Sequence, residues 1–312
     1  MLKKLFRLLK IVIQIPSYWK YFLFVWFHPL NHNNRLASIW RVMSFQIASR
    51  IINAPIILPF VNGTQLITCH GMSGATGDWY CGLREYEDMS FLLHTLQSGD
   101  LFVDVGANIG SYSILAATCK GVDVIAFEPI PSTFSYLKKN IKLNLLDNQV
   151  RAMNIGLADQ KGTLHFSQNL DTINHVILNN EKNYPSVNIE VQRLDDVLEK
   201  KCPTMIKIDV EGYETQVLQG AKKVIDNPTL IAVIVELNES GKRYGKDDND
   251  VHQLLISKGF DCFKYDPFKY RLKSLQSKFN KISNTLYLRN LDEIQSRISK
   301  KNAFILGTGK KI

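Results

Sequence analysis

The sequence predicts an α/β protein with a parallel sheet and helices on both of its faces. Short apolar segments typical of buried strands alternate with amphipathic segments typical of helices along most of the 312 residues, and this alternation favours a parallel sheet. The clearest unit spans residues 101–117, where an apolar strand enters a glycine turn and continues as a helix. A second apolar strand, 122–127, ends at Glu128-Pro129, and proline stops a strand because it donates no backbone N–H.

The other elements follow from hydrophobic periodicity. Further strands are predicted at 64–69, 150–155, 187–192, 205–210, 230–236, 260–265 and 283–288, with a short hairpin at 156–166. Helices are predicted at 36–52, 85–96, 132–143, 193–200, 214–224, 249–258 and 291–298. Segment 230–236 is apolar almost throughout, as expected for a strand that is buried on both faces.

Charge and cysteine content narrow the class of protein. Residues 1–77 carry eight Lys/Arg and no Asp/Glu, so the remainder holds 38 − 8 = 30 basic against 29 acidic residues. This nearly neutral remainder gives no reason to expect nucleic-acid binding. Five scattered cysteines contain no C-x-x-C pair, which argues against a disulfide framework or a zinc site. We therefore expect a cytoplasmic protein.

The basic N-terminal quarter has the features of a segment that contacts a membrane. The pattern of residues 2–13 predicts an amphipathic helix, and an apolar, aromatic stretch follows at 15–30. Lys20 interrupts this stretch, and a charge near the centre of a spanning helix costs about 3 kcal/mol. We expect residues 1–30 to lie peripherally on the cytoplasmic face of an anionic membrane. A helical layer packed on the rest of the protein and a transmembrane span are the alternatives.

We divide the chain into four parts. Residues 1–60 are the basic N-terminal extension, and residues 61–99 are a cap with a lead-in helix. Within the cap, the glycine-rich segment 71–77 fits either a lid or a plain surface loop. Residues 100–290 are the main α/β domain, and residues 291–312 are a C-terminal helix and tail.

The glycine turn after the first strand is a candidate ligand cradle, because the first N–H groups of a helix have no partner within it. Its residues are Gly106, Ala107, Asn108 and Gly110. The spacing is G-x-x-x-G rather than the dinucleotide pattern G-x-G-x-x-G, and Asn108 stands where the middle glycine would be. An ordinary turn of an α/β protein is the alternative.

Two acids indicate the charge of the ligand. Asp104 stands just before the turn, where a carboxylate would repel a diphosphate and attract a cation. Glu128 stands at the end of the second strand, a position suited to binding both hydroxyls of a ribose. A sulfonium cofactor with an amino group satisfies both observations.

Three sequence motifs resemble those of a known family. They are Phe102-Val-Asp-Val-Gly-Ala-Asn-Ile-Gly110, Ala126-Phe-Glu-Pro129 and Ile206-Lys-Ile-Asp-Val-Glu-Gly-Tyr-Glu214. In this order and spacing the chain resembles the FkbM family of S-adenosylmethionine-dependent methyltransferases, over roughly residues 85–290. The resemblance implies a class I methyltransferase Rossmann-like sheet, S-adenosyl-L-methionine as cofactor, and O-methylation of a hydroxyl on a sugar, glycan or related natural product. A carbohydrate or glycolipid acceptor is the partner that follows.

Further acidic residues are candidates for the catalytic groups. Asp209 and Glu236 also stand at strand ends, and the carboxyl ends of parallel strands meet at one edge of a sheet. Asp209 is the first candidate for a base or acceptor-orienting residue, with Glu211 second and Glu236 third. A salt bridge to a lysine is the alternative role for Glu211.

Three further assignments concern the site. Asn154 ends the third strand near the expected adenine position, or is an ordinary loop residue. A divalent metal on Asp209, Glu211 and Glu236 is disfavoured because no histidine stands at matched spacing, so we expect none. Residues 167–187 are polar and rich in asparagine, and we expect them to form a loop. His175 in this loop is a minor alternative base.

Three other functions fit parts of the sequence. A nucleotide-dependent oxidoreductase is disfavoured by the missing middle glycine. A non-catalytic module that only binds S-adenosylmethionine is disfavoured by the intact segment 209–213. RNA methylation is disfavoured by the neutral main domain.

Overall fold

The computed structural model describes residues 15–52, 54–168, 174–178, 185–276, 278–280 and 284–312, apart from the side chains of 15–18. The amphipathic helix predicted at 2–13 lies outside the described residues. The α-helices of the described residues are α1 Ile15–Phe27, α2 Arg35–Ile51, α3 Ser73–Cys81, α4 Tyr86–Thr95, α5 Ser111–Ala117, α6 Pro131–Leu143, α7 Leu194–Leu198, α8 Glu214–Gln219, α9 Lys222–Asp226, α10 Asp248–Ser257 and α11 Leu291–Ile298. Short 3₁₀ helices lie at Pro29–Asn31 and Ser240–Tyr244.

The strands form three sheets. They are β1 Ile56–Pro59, β2 Gln65–Thr68, β3 Leu101–Val105, β4 Asp123–Phe127, β5 Val150–Met153, β6 Gly156–Leu157, β7 Gly162–Ser167, β8 Ser186–Gln192, β9 Met205–Ile208, β10 Ala232–Val235, β11 Asp261–Asp266, β12 Arg271–Ser274 and β13 Thr285–Leu288. Strands β1 and β2 pair as a hairpin.

The central sheet has eight strands in the order β12-β11-β13-β10-β9-β3-β4-β5. Strands β10, β9, β3, β4 and β5 are parallel neighbours, as the sequence predicts. The prediction of a parallel sheet is wrong for β11–β13, which pair antiparallel. Strands β11 and β12 are separated by only four residues, and so short a link cannot join parallel strands.

Helices cover both faces of this sheet, which confirms the predicted α/β class. Alternate strand residues point to opposite faces, so Phe102 and Val124 join one apolar cluster and Val103 and Ile125 join the other. Helices α4, α5, α6 and α11 contribute to the first cluster, and α7–α10 contribute to the second. The carboxyl ends of β3, β4, β9 and β10 therefore meet at one edge between two helical layers.

A small sheet corrects the prediction of a hairpin at 156–166. Strand β6 pairs in parallel with β8, and β7 pairs antiparallel with the same strand. Two strands that both use β8 as their partner do not pair with each other, so the order is β6-β8-β7. The segment that returns after the asparagine-rich stretch supplies this partner, which local periodicity cannot reveal.

The N-terminal helices form a layer on the rest of the protein. Val25 of α1 and Val42 and Phe45 of α2 share one buried cluster with Tyr80 and Cys81 of α3. The packed helical layer is thus the arrangement observed for residues 15–51. Among the described residues, no helix combines the length and the apolar character needed to cross a bilayer.

Candidate functional site

A cavity of about 340 Å³ opens at the carboxyl ends of β3, β4, β9 and β10, where open α/β sheets bind their ligands. The acids among the described residues that line it are Asp78, Glu85, Asp104, Glu128, Asp209, Glu211 and Glu236. The bases are Arg84 and Lys207. An excess of carboxyl groups over cations favours a positively charged ligand.

The glycine turn forms the floor of this cavity. The N–H groups of Gly106 and Ala107 both donate to the carbonyl of Phe127, at 3.0 and 2.9 Å. A Cβ on Gly106 would lie 1.8 Å from the carbonyl oxygen of Asp209, and its φ is +81°. Only glycine fits this close approach between the turn and the end of β9. Gly110, with φ of +99°, directs the chain into α5.

Asp104 is a buried carboxyl group with one unused oxygen. It is 1% exposed, and its Oδ2 accepts a hydrogen bond of 2.6 Å from Ser113 Oγ. Its Oδ1 has no hydrogen-bond partner among the described residues. Burial raises the pKa of Asp104, while the nearby Lys207 ammonium opposes that rise. A buried acceptor without a partner is costly, so this oxygen is open to a hydrogen-bond donor from a ligand.

Glu128 lies beside the turn, directly after β4. Its Oε2 accepts from the Asn108 N–H at 2.9 Å, and its Oε1 accepts from the Ile130 N–H at 2.8 Å. Burial raises the pKa of Glu128 to about 7. A carboxylate oxygen has two lone pairs, so each oxygen can accept one more hydrogen bond, such as one from a ribose hydroxyl.

Asn154, which the sequence analysis places near the adenine, contacts the backbone after β4 instead of the cavity. Its Nδ2 donates to the carbonyl oxygens of Glu128 and Pro129, each at 2.8 Å. Asn154 is not among the described residues that line the cavity, whereas the adjacent Ile155 and Gly156 are. Asn154 thus fixes the turn that carries Glu128.

Three carboxyl groups meet on the other side of the cavity. Ligand oxygens of Asp209, Glu211 and Glu236 all lie within 4.8 Å of one another. Burial, with Asp209 and Glu211 close by, raises the pKa of Glu236 to about 9. Burial and Asp209 likewise raise the pKa of Glu211 to about 7. At neutral pH, Glu236 therefore retains its proton, and Glu211 exchanges one readily.

Lys207 is a site residue that the sequence analysis missed. Its Nζ lies 2.7 Å from Asp209 Oδ2 and 4.6 Å from the ring centre of Tyr112. Burial alone would lower its pKa, but Asp209, Glu85 and Asp104 outweigh burial and raise it. The signal was present, because a lysine within the apolar strand β9 must find an acidic partner.

The sequence analysis also missed a pair of charged residues, which lies just before α4. Arg84 Nη2 contacts Glu85 Oε1 at 2.5 Å, and Glu85 Oε2 accepts from Tyr112 and Asn284 at 2.7 and 2.9 Å. Burial opposes the charge of Glu85, yet Arg84 and Lys207 lower its pKa to about 2. Adjacent opposite charges are common on surfaces, so the place of this partly exposed pair in the cavity wall could not be foreseen.

The predicted lid segment is the beginning of a helix rather than a loop. Residues 73–77 belong to α3, and Gly74, Ala75 and Asp78 line the cavity. His175, the alternative base, is not among the described residues that line the cavity. Its backbone N–H donates to Ser167 Oγ at 2.9 Å.

Comparison with known families agrees with this geometry. Residues 104–262, about half of the chain, match the family described as Methyltransferase FkbM domain. The chain belongs to the FkbM methyltransferase family. FkbM methyltransferases depend on S-adenosylmethionine, which confirms the predicted cofactor and disfavours the oxidoreductase alternative.

Two curated relatives carry the word methyltransferase in their names. The chain is 28% identical over 211 residues to Methyltransferase sdnD of Sordaria araneosa, covering 56% of this chain and 79% of that protein. It is 30% identical over 173 residues to Hexuronic acid methyltransferase AglP of Haloferax volcanii, covering 55% of this chain and 67% of that one.

A solved structure of an rRNA methylase from Streptococcus thermophilus is also similar. It is 12% identical with a TM-score of 0.37, over 64% of this chain and 91% of its own. A likeness at this level carries no argument about substrate.

The FkbM cofactor fits the residues on the acidic floor of the cavity. The unpartnered Asp104 Oδ1 suits the amino group of S-adenosylmethionine, Glu128 suits its ribose, and Gly106 leaves room for a close approach. The excess of carboxyl groups suits its sulfonium charge.

Proposed function

We propose that this protein is an O-methyltransferase that acts on a hydroxyl group of a carbohydrate. The observation that carries this proposal is the cluster of Asp209, Glu211 and Glu236 beside the cofactor floor. A hydroxyl must lose its proton during methylation, and a base works best when its pKa lies near the working pH. Glu211, with a pKa of about 7, meets this requirement.

The three carboxyl groups take different roles in this proposal. S-adenosylmethionine, when bound, supplies an electrophilic methyl group on a positive sulfonium. Glu211 accepts the proton of the acceptor hydroxyl as the new C–O bond forms and the old C–S bond breaks. Asp209, held by Lys207 at 2.7 Å, orients the acceptor. Glu236 keeps its own proton and can donate a hydrogen bond to a neighbouring acceptor oxygen.

This proposal assigns no role to a metal. Asp209 already pairs with Lys207 at 2.7 Å.

Other polar residues that line the cavity support a carbohydrate acceptor. Asn174, Asn238 and Tyr213 are among them, and amide and phenol groups are the donors and acceptors that sugar hydroxyls need. The relative AglP is named a hexuronic acid methyltransferase. We assign the transfer reaction to residues 100–290 and a covering role to 61–99.

The test is methyl transfer from labelled S-adenosylmethionine to sugars, sugar nucleotides and a glycolipid extract. A methyl ether survives mild alkali, whereas a methyl ester on a sugar carboxylate is released. We expect alkali-stable label with the wild-type protein and a loss of about 10²–10⁴-fold in rate with Glu211→Gln.

Two results would overturn the proposal. Alkali-labile label would show esterification of a carboxylate instead of O-methylation of a hydroxyl. Tight cofactor binding with no transfer to any acceptor in the panel would favour the non-catalytic binding module. Glu190→Gln, an exposed glutamate on β8, is the matched control and should retain full activity.

A further inference from the structure

Among the described residues, most of the large apolar side chains that are exposed lie in one region. Ten of the fifteen exposed large hydrophobic residues lie within 15–52. They are Trp19, Leu23, Phe24, Phe27, Leu36, Trp40, Met43, Ile47, Ile51 and Ile52. A concentration of this kind marks an interaction surface rather than ordinary scatter.

These side chains form a stripe on α2. Leu36, Trp40, Met43, Ile47 and Ile51 recur every three or four residues, so they share one side of a helix with about 3.6 residues per turn. Leu36 is 79% exposed and Trp40 is 68% exposed. The buried residues of α2 fall on the opposite side, and they are Ser38, Val42 and Phe45.

Helix α1 is arranged in the same way. Trp19, Leu23 and Phe27 share one side and are exposed, while Val25 on the other side is fully buried. Val25, Val42 and Phe45 belong to the same cluster. Because both helices bury one side in this cluster and expose the opposite side, both apolar stripes point away from the body of the protein. We call the exposed residues of α1 and α2 the outer apolar face.

The charge of this region identifies the partner. Residues 15–52 carry Lys20, Arg35, Arg41 and Arg50 and no acid. The guanidinium of Arg35 stacks over the rings of Trp26 and Phe27, at 5.6 and 5.9 Å from their centres. A second copy of this chain would oppose basic groups to basic groups, which is unfavourable. Arg41 donates to the Tyr80 carbonyl at 2.8 Å, on the side that faces the body of the protein, so anionic lipid headgroups would pair with Lys20 and Arg35. Tryptophan is also favoured at the interface of a bilayer.

We propose that the outer apolar face docks on the surface of an anionic membrane, with α1 and α2 lying in the interface. The face extends to Ile51, well beyond the segment 1–30 that the sequence indicated. It neither requires nor implies a spanning helix, since apolar side chains and basic groups together suffice for interfacial binding.

The helix α3 connects this face to the cavity. Its Tyr80 and Cys81 are buried in the cluster beneath α1 and α2, while its Gly74, Ala75 and Asp78 line the cavity. One short helix thus separates the membrane-facing pair from the acceptor site. Docking would hold the cavity close to the bilayer, where a lipid-linked acceptor would be presented.

The experiment measures binding of the full chain to vesicles. We expect it to sediment with vesicles of phosphatidylcholine mixed with phosphatidylglycerol, not with phosphatidylcholine alone, and to be released by high salt. Trp40→Glu/Ile47→Glu should weaken binding by about tenfold or more, because two apolar side chains no longer enter the interface. Brominated lipids should quench tryptophan fluorescence in the wild-type protein only when it is bound.

Matched controls separate docking from folding and from catalysis. Leu145→Glu/Leu291→Glu adds the same charge at exposed leucines elsewhere and should bind vesicles like the wild type. All variants should keep the wild-type melting temperature and calorimetric affinity for S-adenosylmethionine. Unchanged vesicle binding by the Trp40/Ile47 variant, equal binding to phosphatidylcholine alone, or a wild-type dimer that this variant dissociates would each overturn the proposal, whatever the acceptor is.

Discussion

The Lys207 ammonium lies 2.7 Å from the Asp209 carboxylate, inside the end of an otherwise apolar strand. The side chain of Lys207 is 4% exposed, and Glu85 and Asp104 add to the negative charge around it. Lys207 therefore interacts with carboxyl groups in both parts of the cavity, with Asp104 beside the glycine turn and with Asp209 in the cluster of three carboxyl groups.

Removing this cation should destabilise the protein strongly. Lys207→Met leaves buried carboxylates without their partner, which typically costs about 3–5 kcal/mol. Urea denaturation should show this loss, while Lys222→Met, at an exposed position of α9, should change the free energy of unfolding little. The double variant Lys207→Met/Asp209→Asn should recover part of the loss. If Lys207→Met unfolds like the wild type, the proposed charge balance is wrong.

Cofactor affinity should depend on Asp104 and Glu128 and hardly on acids outside the cavity. A hydrogen bond to a charged group contributes about 1.5–3 kcal/mol, so Asp104→Asn and Glu128→Gln should each weaken S-adenosylmethionine binding by about tenfold to a hundredfold. Calorimetry measures this directly. Asp123→Asn, at the exposed start of β4, is the control. Unchanged affinity in both site variants would remove these residues from the cofactor site.

The residues of the cavity differ in how far the sequence predicts their position. Asp104, Glu128, Asp209 and Glu236 were predictable because strand ends are visible in the hydrophobic pattern and parallel strands share an edge. Arg84 was missed because adjacent opposite charges are common on surfaces, and Lys207 was missed although a lysine within an apolar strand does predict an acidic partner. The antiparallel β13 and the shared partner strand β8 depend on pairing between distant segments, which local periodicity does not encode.

The close approach at Gly106 gives a test of the turn geometry. Gly106→Ala places a Cβ 1.8 Å from the Asp209 carbonyl oxygen, whereas Gly63, with a similar φ of +83°, has no neighbour within 4 Å. Both substitutions carry the strain of a left-handed backbone, about 1–2 kcal/mol. Gly106→Ala should cost at least about 1–3 kcal/mol more, measured as the difference in free energy of unfolding. Equal losses would refute the tight contact between the turn and β9.

The pH dependence of methyl transfer should report on Glu211. Burial raises its pKa to about 7, and a base must be deprotonated to accept a proton. The value of kcat/KM should therefore rise as pH increases through about 7 and then level off. Glu211→Gln should abolish this limb as well as most of the activity. A limb that persists in the variant with its midpoint unmoved would assign the titration to another group.

Stability should depend on pH through Glu236. Burial and two neighbouring carboxyl groups raise its pKa in the folded protein from 4.5 to about 9. Below pH 4.5 the group is protonated in both the folded and the unfolded chain, so its contribution to stability is complete there. As pH rises toward 9, ionisation stabilises only the unfolded chain, and that contribution is lost.

Glu236→Gln stays neutral in both states, and its amide can donate where the protonated carboxyl does. Relative to the wild type, this variant should therefore gain more than about 1 kcal/mol in free energy of unfolding between pH 5 and pH 8, since one pKa unit corresponds to about that much. Urea denaturation at the two pH values measures the gain, and Glu199→Gln, at an exposed position, should show none. A parallel decline of wild type and Glu236→Gln would mean that Glu236 is ionised in the folded protein at neutral pH.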